Sequence, residues 1–372
     1  MLIRNATAFI GGRFCAGMEV RVHNGRVQEI GQGLSNGLYE DAVDLAGDYL
    51  LPGFVECHIH ACRGNDAMQG ETAVRAMSRE LFRLGVAAFL PTTMSAAPED
   101  TRAGVAGIRR VMEQPEHHGA LVLGTHMEAP FMAPERCGAQ VKEHFCLPDM
   151  DVFMALCDEH PETVRVMTVA PELPGGEAFI RRAVQLGVQI SVGHTNATAE
   201  EVHLAADWGA TRVTHTFNAQ TGLHHREPGV PGASLVDDRL YTEMICDGIH
   251  LHPDVVRLIV RAKGAARTVV ITDAMEAAGM PEGQYALGGQ TVYVKDGAAR
   301  LTDGTLAGSV LTMRKAFENL LLWGIPAEDA VLMCTATPAD SVGEKLAGRI
   351  TAGAPAPLTR WSRDWRWKGI LA

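Results

Sequence analysis

The sequence predicts an α/β fold, a (β/α)8 TIM barrel with a small β-sandwich domain formed by both termini. Three observations carry this. Between Leu50 and about Gly343, short apolar β-rich runs alternate with longer amphipathic stretches, the signature of βα units on a parallel sheet. Eight such runs follow in series, which points to a closed barrel over an open doubly wound sheet. Residues 1–50 have a different texture, of short strands and tight turns.

In chain order, Gly11-Gly12 and Asn24-Gly25 are hairpin signals, the second lying between the alternating segments Glu19–His23 and Arg26–Ile30. The eight candidate barrel strands are Leu51–Cys57, Val86–Thr92, Ala120–Met127, Val164–Ala170, Val188–Val192, Arg212–Thr214, Tyr241–Cys246 and Thr268–Thr272. Helical periodicity follows most of them, as at Glu71–Leu84, Glu99–Glu113, Glu177–Leu186 and Ala199–Trp208. After the sixth run, Phe217–Gly232 reads as a long functional loop, and Gln284–Gly304 reads as a β-hairpin insertion before the last helices. The tail beyond Gly348 is expected to pack back on the N-terminal strands, although Ala354-Pro355-Ala356-Pro357 is poor strand sequence. Residues 1–50 with 346–372 are thus expected to form the small domain, and 51–345 the barrel.

Composition agrees with a large folded core, with 47% hydrophobic and 21% charged residues in 372. Lys+Arg 33 against Asp+Glu 44 leaves a net charge of −11 without a basic run, which argues against nucleic-acid and anionic-membrane partners. An anionic ligand must then be held by a local basic group. The opening MLIRNATAFIGG lacks the basic region and long apolar core of a signal peptide, and no run approaches the roughly 20 apolar residues of a membrane span. The 8 cysteines are scattered singly with no CxxC pair. Reduced thiols in a cytoplasmic protein are the simplest reading.

The chemical signal is positional. His58 and His60 end the first run, Glu128 the third, His194 the fifth, His215 the sixth, Asp247 and His250 the seventh, and Asp273 the eighth. In a barrel the C-terminal strand ends converge on one mouth, so these residues would meet there. Taken singly, each has a bland reading: an HxH is expected about 0.6 times by chance with 15 histidines, a core histidine bonds a carbonyl, and an Asp caps a helix. Taken together, successive strand ends carrying polar groups need a shared purpose. Residues i and i+2 on a strand face one side, so His58 and His60 can reach one metal. Imidazole with carboxylate suits Zn²⁺ or Fe²⁺, one or two per subunit. A hydrolytic metal lowers the pKa of its water, and Asp273 can then accept and return the proton. The loop Leu223–Gly229, LHHREPG, reads either as a solvated turn or as a phosphate clamp built on the planar fork of Arg226.

The run PGFVECHIH resembles the opening metal motif of the amidohydrolase superfamily. HMEAPF, SVGHTNA, THTFNA, HHREPG, DGIH, TDAM and TLAGS, in that order, resemble the N-acetylglucosamine-6-phosphate deacetylase family over about residues 1–350. The resemblance implies that Glu128, His194 and His215 bind the principal metal and that His58 and His60 bind a second. It makes Asp273 the general acid/base and His250 the group that polarises the acetamide carbonyl. Arg226 with His225 would hold the 6-phosphate. Ala139, Gln140, Asn218, Ala219, Asp247, Gly248, Ile249, His250, Leu306, Ala307 and Gly308 would line the substrate. Family members are usually dimers with the phosphate loop near the neighbouring subunit, so a homodimer is expected. The sequence departs from the family pattern at Gln140 (a histidine in some members), at Thr221-Gly222 (usually Ser-Pro), at Glu56 (usually Asp) and in ITAGAPAPLTRW, which lacks a Lys-Ala-Asp strand.

The expected activity is hydrolysis of the acetamide of N-acetyl-D-glucosamine 6-phosphate to D-glucosamine 6-phosphate and acetate. Three alternatives stand beside it: the galactosamine epimer or another N-acyl substrate, a different amidohydrolase such as a dihydroorotase or dipeptidase, and a metal-free sugar-phosphate-binding scaffold. No barrel lysine stands in a recognisable bridging position, which disfavours the second. Intact Glu128, His194, His215 and Asp273 disfavour the third.

Overall fold

In the computed structural model, which describes residues 1–35, 37, 41–116 and 118–371, the central sheet is parallel and almost closed on itself. Its strands are Phe54–Ile59, Val86–Thr93, Thr125–Met127 with the short Leu121–Val122, Val164–Val169, Gln189–Val192, Ala210–Val213, Tyr241–Ile245 and Thr268–Ile271. Each pairs with the next in sequence, as right-handed βα units require. These strands are covered on both faces, which is why they read as near-continuous apolar runs: Phe54–Ile59 and Val86–Thr93 are buried throughout. The seam between first and last strands is closed by the Ile59↔Ala274 bridge and by Asp273 N donating to His58 O at 2.9 Å. The backbone of the HxH motif is therefore part of the barrel closure.

Glu56 reinforces this seam. Its carboxylate is fully buried and accepts from His58 N (3.0 Å) and Thr272 N (3.1 Å), tying the first strand to the eighth. Burial pushes its carboxyl up to about 8 against these hydrogen bonds.

Outside the barrel lies a seven-stranded sheet drawn from both ends of the chain. Its order is Trp367–Leu371, Leu358–Trp361, Tyr49–Pro52, Leu2–Ile10, Arg13–His23 and Arg26–Gly31, with Ala42–Asp44 also beside Leu2–Ile10. The Gly11-Gly12 and Asn24-Gly25 turns close its two N-terminal hairpins. Tyr49–Pro52 sits between Leu358–Trp361, antiparallel, and Leu2–Ile10, parallel. The tail strand starts only after Pro357: Pro355 and Pro357 have no N–H, and Ala354–Pro357 meets the Asn24-Gly25 hairpin through Ala356 N to Gly25 O (2.8 Å), Val27 N to Ala354 O (2.9 Å) and the Arg26↔Pro355 bridge. Trp361 is fully buried and joins this sheet to the barrel: its ring lies 5.0 Å from Phe317, on the helix Met313–Leu322, and 5.2 Å from Trp367.

Several expected boundaries move, each for a local reason. The run Leu51–Cys57 is two strands, one in each sheet, divided at Gly53, where a Cβ would come within 2.6 Å of Pro357 O. Ala120–Met127 is broken at Gly124, whose φ is +148°. The loop after the sixth strand ends earlier than expected, because Gly229–Val236 is helical. The insertion after the eighth strand is a sheet of four antiparallel strands, Gly283–Leu287, Gln290–Lys295, Ala298–Leu301 and Leu306–Ser309, where a simple hairpin was expected. Its last strand carries TLAGS back to the barrel mouth, with Ser309 N donating to Asp273 O at 2.8 Å. Among the described residues no helix is long and apolar enough to cross a membrane, and all eight cysteines are free.

Replacing Trp361 with Ala removes the largest fully buried side chain at the junction and should destabilise the protein by about 3–5 kcal/mol. Denaturant unfolding checks this, and a loss below about 1 kcal/mol would show that the two sheets do not depend on this contact.

Candidate metal centre

Four imidazoles and two carboxylates meet at the barrel mouth. Glu128, at the end of the third strand, is buried, and its Oε1 lies 3.3 Å from His58 Nε2, 3.4 Å from His194 Nε2 and 3.2 Å from His215 Nε2. Its Oε2 lies 3.2 Å from His60 Nε2. Asp273 Oδ1, from the eighth strand, is 3.2 Å from His60 Nε2 and 3.5 Å from His58 Nε2. The donors fall into two groups, Glu128 with His194 and His215, and His58 with His60 and Asp273.

The hydrogen bonds behind the rings decide what faces inward. His194 Nδ1 lies 2.8 Å from Arg136 O, His60 Nδ1 3.2 Å from Thr92 O and His58 Nδ1 3.2 Å from Glu243 Oε2. Carbonyl and carboxylate oxygens only accept, so each Nδ1 carries the hydrogen and each neutral ring turns a lone pair inward from Nε2. Yet His194 Nε2 and His215 Nε2 are 3.1 Å apart, and His58 Nε2 is buried without a hydrogen-bond partner. His215 Nδ1 has no partner and can carry the ring hydrogen, which leaves its Nε2 free to turn a lone pair to the same point; two lone pairs at this separation repel unless a cation sits between them. An ion bound at about 2.0–2.1 Å would space neighbouring donors by roughly 3.3 Å around a tetrahedron, which matches the separations found. The donor set fits a divalent metal.

The electrostatics agree. Burial opposes charging His58, His60 and His215, but Glu128 and Asp273 outweigh it, raising His58 well above the usual histidine range and His60 to about 9. Burial likewise opposes the Glu128 and Asp273 carboxylates, yet the neighbouring histidines hold both below their usual values. A site that pulls protons onto its histidines this way offers the same field to a metal cation.

The backbone here is held in uncommon conformations: His194, His215 and Asp273 have φ of 47°, 25° and 49°. Flanking bonds over-determine them, including Ala133 N to His194 O (2.8 Å), His215 N to Glu243 Oε2 (3.1 Å) and the two Asp273 backbone bonds of the seam.

A cavity of about 210 Å3 opens over this cluster. Of the residues expected to line a ligand, Ala139, Gln140, Asn218, Ala219, His250, Leu306 and Gly308 do so. Gln140 is fully engaged, donating to Glu128 Oε2 at 2.5 Å and accepting from Ser95 N at 2.7 Å, so its amide holds Glu128 in place. Asp247, Gly248, Ile249 and Ala307 are not on the cavity wall. The Asp247 carboxylate instead accepts from Ile249 N and His250 N at 2.8 Å and holds His250 Nδ1 at 2.6 Å, fixing the ring that is on the wall. His225 and Arg226 are exposed, with Arg226 Nη1 2.8 Å from His225 Nε2, on a loop that continues from the Asn218-Ala219 wall. Thr221 anchors that loop, donating to Ala197 O (2.7 Å) and accepting from Val230 N (3.1 Å). The hydroxyl thus secures the loop where the family has Ser-Pro.

Sequence reasoning missed Met94, Gly138, Leu287 and Thr305 on the wall, the last two supplied by the insertion after the eighth strand. It also missed Arg212 and Glu243, both fully buried behind the cluster. A signal for these existed: each is a lone charge in an apolar barrel strand, ATRV and YTEMI.

Residues 49–366 match the model of the Amidohydrolase family. The chain is 35% identical over 361 residues to an N-acetylglucosamine-6-phosphate deacetylase of Lysinibacillus sphaericus, covering 96% of this chain and 92% of that protein. It is 36% identical over 319 residues to an N-acetylgalactosamine-6-phosphate deacetylase of Escherichia coli O157:H7, covering 84% and 83%. A solved structure of a mutant N-acetyl-D-glucosamine-6-phosphate deacetylase of Mycobacterium smegmatis, in complex with N-acetyl-D-glucosamine-6-phosphate, superposes with a TM-score of 0.91 at 32% identity, over 100% of this chain and 97% of that one.

Glu128→Gln replaces the carboxylate on which the imidazoles converge with a weaker neutral donor. Elemental analysis of the purified variant should show a loss of divalent metal, and an unchanged metal content would contradict the role of this cluster.

Proposed function

The chain belongs to the N-acetylglucosamine-6-phosphate deacetylases of the amidohydrolase family, and from that premise we propose that it hydrolyses the acetamide of N-acetyl-D-glucosamine 6-phosphate to D-glucosamine 6-phosphate and acetate. The observation that carries this reading is the set of inward Nε2 lone pairs and carboxylates beneath a cavity of sugar-compatible size. Glu128, His194 and His215 would hold the principal metal, and His58 and His60 would hold a second beside Asp273. Nitrogen and oxygen donors of this kind suit Zn²⁺ or Fe²⁺. The bound ion supplies a Lewis acid for the acetamide carbonyl and acidifies a water.

The residues of the chain do the rest. Asp273, facing the cavity from the eighth strand, takes a proton from the attacking water and returns it to the departing nitrogen. Water adds its oxygen to the acyl carbon, the C–N bond breaks, and acetate and the free amine leave. His250, when protonated, donates from Nε2 to the carbonyl oxygen as negative charge grows there, while Asp247 accepts from Nδ1–H and balances the charge. The Asn218-Ala219 and Leu306–Gly308 walls enclose the sugar, and Arg226 with His225 takes the 6-phosphate. This dense basic spot is the local group that an anionic substrate needs in a protein of net charge −11. We place the protein in the cytoplasm, and as a homodimer whose neighbour approaches the exposed Arg226 loop. The galactosamine epimer is the competing substrate, since a relative of similar identity carries that name. The two sugars differ at one hydroxyl, and acetate release from each epimer separates them.

Asp273→Asn keeps the size and removes the base, and should lower kcat by on the order of 10²–10⁴ with the fold intact. Near-full turnover in that variant would remove Asp273 from its role. Arg226→Ala should lower kcat/KM on the 6-phosphate sugar by about 10- to 150-fold, the worth of one charged hydrogen-bonded contact of roughly 1.5–3 kcal/mol. Activity on the unphosphorylated sugar should hardly change. An unaltered ratio between the two substrates would mean that the loop is not the phosphate clamp.

A further inference from the structure

Behind the metal cluster, on the side away from the cavity, the barrel interior contains an ion pair that stability alone does not explain. Arg212 and Glu243 face each other from the sixth and seventh strands, both fully buried, with Arg212 Nη2 2.5 Å from Glu243 Oε1. Arg212 Nη1 also donates to Ser341 Oγ. Replacing a buried ion pair with apolar side chains of similar volume is often neutral or stabilising. The pair therefore calls for another reason.

Its other oxygen supplies one. Glu243 Oε2 lies 3.2 Å from His58 Nδ1 and accepts from His215 N at 3.1 Å. One carboxylate oxygen thus contacts one residue from each half of the cluster: the ring of His58 and the backbone of His215, whose φ of 25° needs restraint. The Arg212 guanidinium supplies the countercharge that this fully buried carboxylate needs beside His58. His126 packs against the far side of His58, with ring centroids 4.4 Å apart, and is itself fixed by Cys57 O (3.2 Å) and Thr168 Oγ1 (2.8 Å). His58, His126 and Glu243 lie close enough together to suggest a metal site of their own. The Arg212 cation on Glu243 and the bonds already made by these rings exclude that.

We propose that Glu243, anchored by Arg212, is a positioning residue that holds His58 as the Nδ1–H tautomer with Nε2 aimed at the metal, and so sets the metal affinity of the His58/His60 position. This rests on the reading that His58 and His60 hold a metal. A carboxylate behind a ligating histidine fixes its orientation and raises its basicity, and loss of such a partner typically costs 10–100-fold in metal affinity. Glu243 itself touches no substrate.

The test is competition for Zn²⁺ between the metal-depleted full-length protein and a chromophoric chelator. Arg212→Met combined with Glu243→Leu removes both charges together, leaves no orphaned ion and takes the acceptor from His58. Its affinity at the weaker position should fall about 10–100-fold. Arg212→Met combined with Glu243→Gln keeps an acceptor oxygen and should bind Zn²⁺ close to the wild type, a rescue that a purely structural role would not produce. A leucine variant that folds and binds as the wild type overturns the proposal. Should that variant fail to fold, the zinc-loaded wild type decides: nitrogen-15 NMR must find a slowly exchanging N–H on His58 Nδ1, and a rapidly exchanging or deprotonated Nδ1 overturns the proposal. His58→Ala with His60→Ala is the control for the underlying reading. If it loses no metal, the two-metal reading fails and the proposal with it. If it loses metal while the leucine variant does not, the proposal alone fails.

Discussion

Glu128 is a carboxylate buried among four imidazole nitrogens, and the architecture around it follows from the cost of that arrangement. Burying an anion is expensive unless opposite charge and hydrogen bonds surround it. Here the surroundings come from the ends of the first, fifth and sixth strands, which only a closed or nearly closed barrel brings together. The closure seam uses the backbone of the same motif: His58 O takes Asp273 N, and Glu56 takes His58 N and Thr272 N. Barrel closure and placement of the donors are one structural event.

A second shell makes the donors directional. Arg136 O, Thr92 O and Glu243 each hold a histidine Nδ1, while Gln140 holds the remaining Glu128 oxygen. Nothing in this shell is shared with the cavity wall except Gln140, so ligand contacts can vary without disturbing the donors. The wall is built separately, from the loop after the sixth strand and the four-stranded insertion after the eighth. His250 lies on the wall and is oriented from behind by its ion pair with Asp247. The division accords with the wider use of such barrels, where loops set the substrate and strand ends set the chemistry.

How much of this could be read in the sequence depended on whether a signal was local. The eight strands were legible because two-sided burial leaves apolar runs, and the donors were legible because each ends such a run. The breaks at Gly53 and Gly124 were not, since they arise from close approach to Pro357 O and to Arg165, residues distant in sequence. The insertion was recognised as β but counted short, because the turns at Gly297 and Gly304 divide one polar stretch into further strands. Arg212 and Glu243 were overlooked because their pairing depends on which side chains of adjacent strands face inward together, a matter of register that single-strand periodicity does not reveal. Gln140 was legible by position as a residue of the cavity wall, but its bonds to Glu128 and Ser95 were not, since they join segments distant in sequence.

A metal held by Glu128 and its histidines would turn this cavity into an amide hydrolase for a phosphorylated amino sugar. The most direct measurement is proton NMR of N-acetyl-D-glucosamine 6-phosphate incubated with zinc-reconstituted protein, repeated after chelation. Acetate and D-glucosamine 6-phosphate should appear in equimolar amounts, abolished by chelation and restored by metal. Persistence of the intact N-acetyl signal with the metal-loaded protein, or equal turnover with and without metal, would contradict this assignment.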